Sequence, residues 1–264
     1  MPNEPFLPTS RSLSIAWAEV FLKLMDHSVS ELTPVIVTVT DVDGSGIASE
    51  RPAIRERLDR ELATHGLQTC HTVANTIFPE SLWVPSEDDS ARRLYERYES
   101  IWPRVRHHHQ NRRGVYFRRL TAYRPDGATS EPVNQLQHII DTYRHGNHRR
   151  SALQAAVFDP TRDHTNCRQQ GFPCLQQIAF VPVDDEGLCV TGFYPTQYLF
   201  ERAYGNYLGL CHLGRFMADQ MGLTFARMIC IASVARRSDS KVTKASLESF
   251  ADDVRLTLAH EESA

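Results

Sequence analysis

The stretch YGNYLG (204–209) and the residues that follow it constrain this chain more than any other part of its sequence. Tyr207, Leu210, Cys211, Met217 and Met221 recur at helical spacing, and the run is apolar almost all round rather than along one stripe. A helix of that kind has to be wrapped by other elements. Gly205, Gly209 and Gly214 remove side chains along it, which predicts backbones that approach closely. The fold is therefore expected to be built around one buried helix.

The neighbours for that helix are readable on both sides. SALQAAVF (151–158), LQQIAFVP (175–182), LCVTGFY (188–194) and FARMICIASV (225–234) read as strands, and VDDEG between the second and third supplies hairpin turn chemistry. Upstream, residues 13–25 and 51–66 have helical periodicity, PVIVTVT (34–40) is a β-branched strand, and residues 132–145 place Leu136, Ile139, Ile140 and Tyr143 on one helical face. Residues 84–113 are charged and interrupted by proline, which predicts helix and loop outside the core. This order of elements gives an α+β class with a mostly antiparallel or mixed sheet. Residues 1–235 are expected to form one domain, and 236–264 a polar tail carrying a helix.

A length of 264 residues with 41% hydrophobic content suffices for a proper core. The net charge of −3 supplies no basic field for nucleic acid or an anionic membrane, so any bound anion must be met by local arginines. No apolar stretch approaches the ~20 residues of a membrane span, and the first residues lack a signal-peptide pattern. A cytoplasmic protein with reduced thiols is expected, because its six cysteines have no C-x-x-C spacing.

Several motifs carry less than they suggest. DVDGSG (41–46) copies half of a calcium loop, but its twelfth position is Pro52 rather than a bidentate Glu, so it reads as a turn. His107, His108 and His109 are consecutive and cannot all face one metal. No phosphate-binding loop, dinucleotide fingerprint or serine elbow is present. More informative is GFPCLQQIAF (171–180), where Cys174 sits between a turn signal and a strand, either as a small core residue or as a nucleophile. Arg149 and Arg150 open a strand-like run, as a solvated edge or as a phosphate grip. Asn206 must be satisfied by a cap or by a ligand.

Together these pieces resemble the thymidylate synthase family, which includes the pyrimidine hydroxymethylases. The resemblance rests on Pro173-Cys174, on the upstream Arg149-Arg150, on Asn206 at the start of the buried helix, on Ile101-Trp102, and on Tyr116 in GVYFRRL, over roughly residues 95–235. It implies a thymidylate-synthase-like fold, with a mixed, mostly antiparallel sheet packed on a long buried helix. It also implies that the Cys174 thiolate adds to C6 of a pyrimidine nucleotide, activating C5 toward a one-carbon donor, 5,10-methylenetetrahydrofolate in the family. Asn206 would read a uracil-type base, Tyr116 would line the cleft beside Cys174 as a second catalytic residue, Trp102 would help bind the substrate, and Arg149 and Arg150 would hold phosphate across the two-fold axis of a homodimer. The chain departs from the family where Gln-Arg-Ser-x-Asp is expected, reading Tyr194-Pro195-Thr196-Gln197-Tyr198, and Leu175 replaces a His. Two expectations follow: an enzyme acting at C5 of a pyrimidine, or a non-catalytic nucleotide-binding relative of the same fold.

Overall fold

A computed structural model of the chain describes residues 5–26, 31–40, 46–111, 114–125, 127–146, 148–166, 172–183, 186–238 and 242–262. In chain order its elements are strand β1 (Thr9–Ser10), helix α1 (Leu13–Met25), β2 (Glu31–Leu32), β3 (Val35–Val39), α2 (Pro52–Thr64), α3 (Cys70–Ile77), α4 (Ser90–His107), α5 (Tyr116–Thr121), α6 (Gln135–Arg144), β4 (Gln154–Ala156), α7 (Pro160–Asp163), β5 (Gln177–Val183), β6 (Gly187–Tyr198), α8 (Tyr204–Met221), β7 (Thr224–Arg236) and α9 (Glu248–Glu262). The strands form one open, mixed sheet in the order β1-β3-β7-β6-β5-β4, with β2 beside the end of β7. The pairs β1–β3 and β6–β7 are parallel and the others antiparallel.

Helix α8 is the crossover between the parallel strands β6 and β7, and it is buried along nearly its whole length, as its composition predicts. The glycines explain how. A Cβ on Gly205 would lie 2.5 Å from Val73 Cβ, and one on Gly209 would lie 2.8 Å from the Ala74 carbonyl, so α3 can approach only because both are absent. Gly214 makes room in the same way for the ring of Phe225 on β7. Each Leu- or Phe-sized side chain buried at such a seam contributes about 1.5–3 kcal/mol.

Several elements differ from their sequence expectations. The run 151–158 is a strand only over Gln154–Ala156, preceded by a 3-10 turn at Arg150–Ala152. Helix α4 contributes to the core through Leu94 and Tyr98, although its charged composition places it outside. Helix α9 does lie in the C-terminal stretch, and its Phe250, Ala251 and Val254 are buried, with Phe250 packed against Trp17, Phe21 and Phe200. Residues 41–45 of DVDGSG, Cys167, and Asp184 and Asp185 of the VDDEG turn lie outside the described residues. The strands that this turn joins pair antiparallel as expected, Val183 opposite Gly187.

No described helix is long and apolar enough to cross a membrane. Among the described residues no group of His, Cys, Asp or Glu is arranged to hold a metal ion. His107, His108 and His109 are exposed at the end of α4.

Candidate functional site

Cys174 is placed by a pedestal of side chains that starts at a buried ion pair. Arg119 on α5 is gripped in bidentate fashion by Asp163, at 2.8 and 2.9 Å, and donates to the Val157 carbonyl at 2.8 Å. Its guanidinium stacks on the ring of Phe172 at 5.1 Å, and that ring also meets Tyr116, with centroids 5.1 Å apart. Gly114 completes the fit: its φ of +139° is open to glycine, and a Cβ there would meet the Phe172 ring at 2.5 Å. Phe172 is thus fixed just before Pro173-Cys174.

The hydroxyl of Tyr116 then accepts the backbone N–H of Cys174 at 3.2 Å and, more weakly, that of Leu175 at 3.5 Å. Two residues on, Gln176 N–H donates to the Phe193 carbonyl at 2.9 Å, which begins the pairing of β5 with β6. Cys174 therefore sits at the mouth of a strand, half-buried, whereas the other described cysteines are buried. All five are free thiols. Burial pushes the Cys174 thiol up from its ordinary range, and the Arg202 guanidinium and the Tyr116 hydroxyl pull it back. Burial also raises Tyr116 and Tyr194, so both phenols remain proton donors at neutral pH. The Tyr194 hydroxyl is buried with no hydrogen-bond partner among the described residues.

Asn206 is 4% exposed and lies in the first turn of α8. Of the two partners its sequence position allows, the cap is ruled out, because a π-helical turn at Leu199–Ala203 runs directly into α8 and leaves no free terminus to cap. Asn206 is not among the fully buried polar side chains left without a partner, so its burial alone does not mark its amide as waiting for a ligand. Arg202, Asn206 and Leu210 follow one another at four-residue intervals, so they share one stripe of the helix. Leu210 closes over Gly192, where an added Cβ would lie 2.8 Å from Leu210 and 3.5 Å from Leu175, the residue after Cys174.

An open cavity of about 320 Å³ lies beside these groups, between α3, α4 and the approach to α5. Its walls include Gln68, Asn75, Tyr98, Ile101 and Val115, while Cys174 is not among its lining residues. Val115 precedes Tyr116, and Gln68 accepts a hydrogen bond from the Arg202 guanidinium, so the cavity and the Cys174 site share a wall. Two polar atoms of the lining, Asn75 Oδ1 and the Tyr98 hydroxyl, are buried with no partner among the described residues.

The structure brings Cys174 and Tyr116 together, buries Asn206 in the first turn of α8, and leaves the other three expected residues apart. Trp102 is half-buried under Arg118, 5.1 Å from its guanidinium carbon, and the cavity takes its neighbour Ile101 instead. Arg149 and Arg150 are exposed at the 3-10 turn before the edge strand β4, and neither side chain pairs with a site residue among those described. Sequence reasoning missed Arg202, Gln68, Asn75 and Tyr98. Gln68 lies in a connecting segment, Asn75 and Tyr98 belong to amphipathic helices whose spacing marks a buried face but not a site, and Arg202 sits in LFERA with no motif to single it out. No family model and no curated protein matches the chain.

Proposed function

We propose that the protein is a thymidylate-synthase-like enzyme that transfers a one-carbon unit, methyl or hydroxymethyl, to C5 of a uracil-type pyrimidine nucleotide. The observation that carries this reading is the half-buried Cys174 whose backbone is held by the Tyr116 hydroxyl at a strand mouth, with Asn206 buried in the first turn of α8. In the proposed step the Cys174 thiolate forms an S–C6 bond, and the C5=C6 electron pair shifts to make C5 an enolate-type nucleophile. Charge builds on the O4 oxygen. The Asn206 amide suits the O4/N3-H edge because it both donates and accepts, and Tyr116 and Tyr194 are protonated phenols close to the thiol. After C5 bonds to the one-carbon unit, the C5 proton is lost and the thiolate is released from C6; the carbon would leave its carrier amine and take up water for a hydroxymethyl product, or a hydride that the tetrahydrofolate would give up in becoming dihydrofolate for a methyl product.

The lining of the cavity supports a flat, hydrogen-bonding carrier, for which 5,10-methylenetetrahydrofolate is the candidate. Tyr98, Ile101 and Val115 offer ring-sized apolar walls, and Asn75 Oδ1 and the Tyr98 hydroxyl await partners. When bound, that cofactor supplies the carbon at the formaldehyde level. Tyr198 stands where the family has the carboxylate that holds the pterin, so this grip would fall to Asn75 and Tyr98. Arg149 and Arg150, exposed and away from Cys174 in their own chain, fit a phosphate-binding role in a second copy of a homodimer.

The alternative, a non-catalytic nucleotide-binding relative, draws its support from Pro195, which carries no charge toward the thiol, and from the burial that raises Cys174. Release of tritium from C5-labelled uracil and cytosine nucleotides, with and without 5,10-methylenetetrahydrofolate, separates the two. Release that disappears in Cys174→Ala is the expected result. Nucleotide binding without release from any nucleotide or nucleoside would reject the enzyme.

A further inference from the structure

We propose that Arg119, locked by Asp163, is a positioning residue for Cys174, because its guanidinium anchors the chain on both sides of the thiol. The inference rests on Cys174 being the nucleophile of the proposed reaction. Residues 172–176 around it belong to no helix or strand, so the direction of the thiol has to be set from outside. Arg119 meets this stretch at two points. Two residues before Cys174, the Phe172 ring lies against the guanidinium, 5.1 Å from its central carbon. Two residues after it, the Gln176 carbonyl accepts the backbone N–H groups of Val157, at 2.8 Å, and Phe158, at 3.1 Å. Val157 is held in turn through its own carbonyl, which accepts from Arg119 Nη1 at 2.8 Å. One planar group therefore supports Phe172 directly and Gln176 through a single residue, and Pro173-Cys174-Leu175 is suspended between the two points.

The support is itself tied down. Both Asp163 oxygens accept from the guanidinium, and Oδ2 also accepts the Asp159 backbone N–H at 2.8 Å. The Gln135 amide donates to the Arg119 carbonyl at 2.9 Å and to the Ala156 carbonyl at 2.8 Å, joining α5 to β4. Stability alone does not account for the ion pair. Arg119 and Asp163 are both buried, and at that depth desolvation offsets most of their attraction, so an apolar pair of similar volume holds a fold about as well. What an apolar pair lacks is direction, supplied here by a flat face for the Phe172 ring and a fork whose plane the carboxylate fixes.

The test separates position from stability in the full-length protein. Labelling its six cysteines with nitrogen-15 lets NMR follow amide hydrogen exchange at Cys174, whose N–H donates to the Tyr116 hydroxyl, and at Cys230, which lies in the ladder between β3 and β7. In Arg119→Met/Asp163→Leu the urea midpoint is expected to stay close to the parent's and Cys230 to exchange as before, while Cys174 exchanges faster by roughly tenfold or more. Tritium release should fall by about a hundredfold in kcat with KM little changed, because the thiol is displaced while the groups that bind substrate remain. Parental exchange at Cys174 in the folded variant overturns the proposal, and so does faster exchange with kcat intact. If the double variant does not fold, Arg119→Lys decides on the same two readouts, since it keeps a charge beside Asp163 and removes the flat face and the fork. A parent that releases no tritium, with Cys174 exchange still accelerated in the variant, would leave Arg119 assigned and remove the proposed reaction. Release by the parent with Cys174 exchange unmoved in the variant would do the reverse.

Discussion

Gly114 shows how far a single residue controls the candidate site. Its positive φ and the 2.5 Å gap to the Phe172 ring mean that an added methyl group is penalised twice, by backbone strain and by overlap. Phe172 cannot yield freely, since Tyr116 and the ion-paired Arg119 hold it on its other sides. Gly114→Ala is therefore expected to destabilise the protein by about 2–3 kcal/mol and to loosen the Tyr116–Cys174 bond. Gly127→Ala is the control: its φ is +72° with nothing within 4 Å of the added carbon, so only the strain term of about 1 kcal/mol remains. Urea titration of both variants measures the difference, and equal losses would show that the ring contact contributes nothing. What sequence could reveal at this scale was the identity of chemically distinctive residues in order, Cys174, Tyr116 and Asn206. Arg202 and Gln68 escaped because an arginine or a glutamine in a polar segment has no pattern until the fold brings it to a partner.

Elements were legible in proportion to how much their burial is written into local spacing. Helix α1 occupies the expected 13–25 because Leu13, Trp17, Val20, Phe21 and Leu24 all point one way into the core. Strand β6 extends past its expected end at 194 to Tyr198, straight through Pro195, a residue that usually ends or marks the edge of a strand. The pairing explains the exception: β5 reaches only Phe193, and Pro195 falls between the paired residues Tyr194 and Thr196 in the ladder to β7, so its missing N–H costs no ladder bond. Helix α3 was not legible at all. Cys70–Ile77 is short and half polar, and what buries it is the glycine face of α8, a feature more than a hundred residues away. That dependence is testable. Gly205→Ala puts a carbon 2.5 Å from Val73 Cβ and 2.6 Å from the Cys70 carbonyl oxygen, and separating the two helices is expected to cost about 1–3 kcal/mol. A denaturation midpoint indistinguishable from the parent would mean that the seam yields without cost.

At the scale of the molecule, the sheet poses a problem that one chain does not solve. One face is buried under α8 and its neighbours, through Val35, Val37, Val190, Met228 and Cys230. The opposite face carries Ile36, Ile231 and Phe193 in one cross-strand row and Thr38, Ile229, Thr191 and Ala179 in the next, all of them only partly covered. A contiguous apolar surface across four strands is unusual for an isolated protein and typical of an interface. A two-fold axis through the face would pair each row with its copy without demanding charge complementarity, and the two rows carry no charged residue. We therefore expect a homodimer joined back to back through the sheet. Ile231→Asp places a carboxylate in the central row, where burial without a cation is costly, and sedimentation equilibrium should show a dimer for the parent and a folded monomer for the variant. A parent that sediments as a monomer at tens of micromolar would remove the interface and, with it, the role assigned to Arg149 and Arg150. If the dimer stands, those arginines can be tested in trans. Cys174→Ala and the Arg149→Gln/Arg150→Gln double variant are each expected to be inactive alone. Mixing them should recover about a quarter of the parental activity, because half of the dimers are mixed and each mixed dimer holds one site with both an intact thiol and an intact arginine pair. No recovery on mixing, with dimers still forming, would place the phosphate grip within the same chain as Cys174 or remove it altogether.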